Sequence, residues 1–142
     1  MSKYLTFLIC SLLLISCISE KEKQQLADKE PLMYEPSEMA LLMRQMYEYN
    51  NLVKTQIVKK DSLLVFPDEF LGIHTAVLTD PSERDVEFDS LAKLFIEQQK
   101  ATFSSQTDSA QYHFNNSVNT CIECHKTRCV GPLPKIKKLL IK

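Results

Sequence analysis

Apolar side chains recur at helical spacing along the first half of the chain's folded part. Met39, Leu42, Met43, Met46, Val53 and Ile57 fall on one face. Ser37 precedes them as a candidate N-cap, and Glu38 follows in the first turn, where the helix dipole favours an acid. The pattern predicts a first helix over 37–58 that stops around Lys59-Lys60-Asp61. Phe66-Pro67-Asp68-Glu69 resembles a second start, with proline at the first position and acids behind it. It predicts a short helix through FLGIHTAVL, ended by Thr79-Asp80-Pro81. A cleaner stripe of Phe88, Leu91, Ala92, Phe95, Gln99 and Phe103 predicts the third helix, with Lys93, Glu97 and Lys100 outside. Residues 104–108 read as a loop in which Thr107 or Asp108 caps a fourth helix. Phe114, Val118, Cys121, Ile122 and His125 share a face of that helix, while His113 is expected at the surface. Gly131, Pro132 and Pro134 are expected to stop anything helical beyond it. That leaves 135–142 as a short basic turn packed by its leucines.

Four helical segments joined by short loops predict an all-α fold, an antiparallel four-helix bundle. Glycine usage agrees, because only Gly72 and Gly131 occur and an all-β sandwich needs more permissive turns. In such a bundle the end of the last helix lies beside the start of the first. His125 is then expected near Met39 and Met43, and near His74 at the end of the second helix.

The N-terminal stretch reads as an address. A short positive start is followed by mostly apolar residues from Tyr4 to Ile15, too few for a membrane span and suited to an export leader. It ends in Leu14-Ile15-Ser16-Cys17, which resembles a bacterial lipobox. The resemblance implies a signal peptide over 1–16, cleavage before Cys17 and acylation of that cysteine. Residues 17–36 then form the acylated cysteine and a polar, flexible tether, and 37–142 the folded domain. The chain is expected to be exported and lipid-anchored to a bacterial membrane, on the periplasmic side or at the cell surface.

Charge is unevenly spread. The whole chain is at −1, which gives no reason to expect a nucleic-acid partner. Residues 121–142 are net +5, whereas 17–120 are net −7. A basic C-terminal end suggests a docking face for an acidic partner protein.

The most specific chemistry lies in Cys121-Ile122-Glu123-Cys124-His125. C-x-x-C-H is the attachment signal for one covalent c-type haem. The thiols of Cys121 and Cys124 add across the vinyl groups as thioethers, and His125 faces the iron as proximal ligand. A helical bundle with this motif at the end of its last helix resembles the cytochrome c-prime superfamily. In low-spin members an early methionine on the first helix binds the iron, often within Leu-Met followed by a basic residue. Leu42-Met43-Arg44 matches that pattern. The resemblance therefore implies Met43 as distal ligand, with Met39 and His74 as alternatives and Met46 a weaker one. Arg44 is a candidate partner for a haem propionate. The tail after His125, with Cys129 and two prolines, is longer than the family leads one to expect. Cys129 reads as a small buried apolar residue, an intermolecular disulfide partner or a third covalent contact, the first being preferred.

Three readings of function follow. The leading one is a membrane-tethered monohaem carrier of single electrons, not an enzyme, since no acid–base pair or activated nucleophile is visible. The second is a five-coordinate, c-prime-type protein binding NO or CO. The third is a Cys₃His zinc module built from Cys121, Cys124, His125 and Cys129.

Overall fold

The computed structural model describes residues 35–142, except Gln106 and the side chains of Thr107 and Asp108. The expected leader, Cys17 and most of the tether lie outside the described residues. Residues 36–142 form one unit. They are all-α, with no strand among the described residues. Three long helices dominate: α1 (Glu38–Lys59), α2 (Val86–Ser104) and α3 (Thr107–Thr127).

Helix α1 begins and ends where its residues dictate. Ser37 Oγ accepts the backbone N–H of Ala40 at 3.1 Å, and Lys60 takes the left-handed conformation (φ 57°) that closes the C-terminus. Its buried face holds Met39, Leu42, Met46, Val53 and Ile57, with Asn50 set among them. Met43 is half-buried at the edge of this face. Helix α2 is capped by Asp85, whose carboxylate accepts the Phe88 N–H at 2.8 Å. It buries Phe88, Ala92, Phe95, Ile96, Gln99 and Thr102 and leaves Lys93, Glu97 and Lys100 exposed. Helix α3 returns antiparallel to α2. Arg128, just past its end, binds Asp85 at the start of α2. Ala110, Phe114, Ser117 and Val118 of α3 are essentially closed to solvent.

The segment after Phe66 departs from the expected second α-helix. Asp68–His74 is a 3-10 helix of seven residues. Its buried positions are Phe70 and Ile73, continued by Ala76 just beyond. That spacing of three suits a helix with three residues per turn and sends all three into the core. An α-helix would have turned His74 and Val77 toward that side; here both are exposed. Contacts from three sides hold the segment and the residues just beyond it. Tyr49 packs edge-on to Phe70 with ring centroids 5.5 Å apart. Met39 N–H donates to Val77 O, and Glu38 accepts from the Val77 N–H. Arg84 donates to the carbonyls of His74 (2.9 Å) and Ala76 (2.7 Å) while lying over the Phe88 ring.

The tail also differs from expectation. Pro132 and Pro134 do not stop helical structure; they start it. Pro132 is the N-cap of α4 (Leu133–Ile136), which runs into a 3-10 turn at Lys137–Leu139. Proline lacks an N–H, and the first turn of a helix leaves that donor unpaired anyway. Ile136 and Leu139 are buried against Val53, Ile57, Ala110 and Phe114. The last residues fold back beside α3: Ile141 gives its N–H to Asn115 Oδ1 and receives a bond from Asn115 Nδ2, both at 2.9 Å. The motif therefore ends the last long helix, and a short helix follows it.

Candidate functional site

An apolar cleft opens where the first half of α1, the 3-10 segment, the start of α2 and the end of α3 meet. Met43 and Met46 supply one wall, and Ile73 the floor from the 3-10 helix. Phe88, Leu91, Ala92 and Phe95 supply the α2 wall. Thr120, Cys121, Cys124 and His125 face them from α3. The side chains leave only about 40 Å³ between them, so the walls nearly touch. Thr120 keeps its hydroxyl occupied, donating to Gln98 Oε1 at 2.7 Å. The lining is thus hydrocarbon and sulfur, with one imidazole.

The spacing of the motif on α3 explains why its three residues converge. Cys121 and Cys124 are three apart and His125 is four from Cys121, so all lie on one face of the helix. Cys121 keeps some exposed surface, but burial of its thiol, with a smaller contribution from Cys124, pushes its pKa up to about 12. Burial raises the Cys124 thiol too, against the opposing pull of the Arg128 guanidinium. Both sulfurs therefore sit as neutral thiols facing the cleft. Cys129 is exposed, contrary to its expected place as a buried apolar residue.

His125 is oriented by the chain that follows it. Its Nδ1 lies 2.8 Å from the carbonyl oxygen of Cys129. A carbonyl can only accept, so Nδ1 carries a proton, and in the neutral ring the lone pair is on Nε2. Backbone acceptors of this kind fix the tautomer and orientation of ligating histidines. The long tail thus contributes through its backbone, which side-chain reasoning does not see.

Of the expected iron ligands on the distal side, the structure brings Met43 and Met46 into the cleft with His125. Met39 is buried in the core instead and does not line it. His74 is exposed on the 3-10 helix, also outside the lining. Arg44 is exposed on α1, likewise outside the lining. His113, expected at the surface, is half-buried and edge-on to Tyr112.

Arg128 is the residue that pattern reading missed. It had counted only as one positive charge in a basic tail. Its side chain is 12% exposed, and it ties the end of α3 to the start of α2. The guanidinium binds both Asp85 oxygens (2.8 and 3.1 Å), Glu87 (3.0 Å) and the Glu83 carbonyl (3.0 Å). Its Nε is buried without a partner among the described residues. The sequence signal was the Asp85-Val86-Glu87 helix start, whose acids needed a cation across the helix pair.

The tail lysines lie elsewhere. Lys54 of α1 donates to the carbonyls of Lys138 (2.6 Å) and Leu140 (3.1 Å), which places that end of the tail far along α1 from Met43. Near the cleft, Lys126 pairs with Glu123 at 2.6 Å, and Arg128 is neutralised by Asp85 and Glu87. The basic end of the sequence is therefore not a basic rim around the cleft.

Among the described residues, no three His, Cys, Asp or Glu side chains converge as a metal-ion cage. The histidine nitrogen nearest Cys129 is taken by that residue's backbone, not shared with its thiol. The Cys₃His arrangement is therefore not assembled. Compared with known proteins, the chain matches no family model, no curated protein and no solved structure.

Proposed function

We propose that the chain is a membrane-tethered monohaem c-type cytochrome, of the c-prime-like bundle kind, that passes single electrons between redox proteins. One observation carries this reading. Cys121, Cys124 and His125 line the same apolar cleft as Met43, and the Cys129 carbonyl leaves His125 Nε2 free to bind iron.

A haem bound there supplies an iron that alternates between ferric and ferrous states. The chain's own residues set the conditions. Cys121 and Cys124 would hold the macrocycle covalently, and His125 would supply a nitrogen to the iron. Met43 is the favoured second ligand; Met46 is closer to the core and His74 is turned outward. Phe88, Leu91, Ala92 and Phe95 keep water from the site, and a dry surround with a thioether ligand favours the ferrous state. Because the walls nearly touch, loading requires them to part. Acylation of Cys17 would hold the protein at a bacterial membrane after export. A partner approaching the cleft meets neutralised or acidic groups at its rim, so the tail lysines steer it only from a distance.

Visible spectra of the purified, exported protein test the proposal. A low-spin spectrum in both oxidation states, unchanged by CO, is expected. A high-spin ferrous spectrum that binds CO or NO without displacing a ligand would replace electron transfer by gas binding.

A further inference from the structure

The tail builds a second surface away from the cleft. Lys54 and Val58 at the far end of α1 face Lys137, Lys138, Leu140, Ile141 and Lys142 across an open groove of about 520 Å³. Among the described residues, no Asp or Glu side chain lines this groove. In a chain of net charge −1, four ammonium groups are thus gathered with no acidic side chain of the described residues in the lining. The arrangement is fixed. Lys54 holds two tail carbonyls, Asn115 holds both backbone groups of Ile141, and Ile136 and Leu139 anchor the turn in the core. Lys137, Lys138 and Lys142 are left exposed, beside a Val58 that is 60% exposed.

We propose that this lysine groove docks the domain onto an anionic lipid surface. The choice of occupant rests on the proposed acylation of Cys17. Residues 18–35 span at most ~60 Å, so an acylated chain keeps the domain within reach of the headgroups. Lysines near an anionic bilayer each strengthen partition about fivefold, and an apolar side chain among them adds contact with the interface. The groove also leaves the cleft accessible. Met43 and Lys54 are separated by about 16 Å along α1, so a domain resting on its lysines turns the cleft end toward the aqueous side.

The test uses the processed chain, residues 17–142, with Cys17→Ser, so that binding owes nothing to acylation. It is sedimented with vesicles of phosphatidylcholine alone and of phosphatidylcholine mixed with phosphatidylglycerol. The expected result is binding to the mixed vesicles only, released by salt. Lys137→Gln, Lys138→Gln and Lys142→Gln together should weaken it ~100-fold. Lys54 is left in place because it holds the tail, and unchanged helical circular dichroism of the triple variant separates lost docking from lost folding. Equal binding to both vesicle types, no binding, or full binding by a folded triple variant would overturn the proposal. Binding to polyglutamate but not to vesicles would overturn it in favour of an acidic protein. Membrane localisation of the unsubstituted chain in cells reports acylation separately, so either idea can fail without the other.

Discussion

The Nδ1 atom of His125 and the carbonyl oxygen of Cys129 lie 2.8 Å apart, and the contact joins the motif to the tail behind it. Since the acceptor is backbone, the Cys129 side chain is dispensable to it. In the haem-free chain, nitrogen chemical shifts should report His125 protonated at Nδ1, in Cys129→Ala as in the unsubstituted protein. Protonation at Nε2 instead would contradict the orientation derived for this ring.

The two methionines of the cleft are expected to separate cleanly. In the haem-loaded protein, Met43→Ala should abolish the sulfur-to-iron charge-transfer band near the red edge and give a high-spin spectrum. Met46 is 5% exposed, so Met46→Ala should cost about 2–5 kcal/mol of stability while leaving that band in place. Exchange of these outcomes would make Met46 the ligand.

Acid should loosen the clamp between α2 and α3. The Phe88 N–H bond first, then Arg128, hold the Asp85 carboxyl below its usual range. A carboxylate lowered in the folded state contributes stability that is present above its unfolded value near 3.8 and is lost as pH falls through the lowered one. The melting temperature should therefore drop as pH falls through that range. Asp85→Asn, which can still cap but cannot titrate or pair with Arg128, should melt lower at neutral pH and lose less on acidification. Parallel pH curves for the two proteins would show that Asp85 is not involved.

A buried polar line ties the three long helices together. Gln99 Nε2 donates to Asn50 Oδ1 at 2.9 Å and to Ser117 Oγ at 2.8 Å, with Gln99 only 1% exposed. Gln99→Leu leaves those two oxygens without their donor and should cost about 1–3 kcal/mol in urea unfolding. Ser117→Ala should cost less, because Gln99 keeps its bond to Asn50. A larger loss for Ser117→Ala would contradict this division.

Much of the helical framework was legible because long amphipathic runs repeat their spacing several times. The stripe from Met39 to Ile57 marked α1 within a residue at each end, and Phe88 to Gln99 marked the buried face of α2. Over the seven residues of Asp68–His74, periods of 3 and 3.6 barely diverge, so the 3-10 segment looked like an α-helix and His74 looked inward. The prolines of the tail were read as breakers because their effect depends on which turn they occupy. In the cleft, the convergence of Cys121, Cys124, His125 and Met43 followed from helical spacing and chain direction. Arg128 and the Cys129 carbonyl did not, since one acts across a helix pair and the other through backbone that carries no side-chain signal.

Covalent attachment of haem through Cys121 and Cys124 is read by a peroxidase-activity stain after denaturing electrophoresis of the exported protein. Thioethers survive denaturation, so a staining band is expected at the mass of the processed chain, lost in the Cys121→Ser, Cys124→Ser variant. An unstained band, from cells whose other c-type cytochromes stain on the same gel, would contradict it.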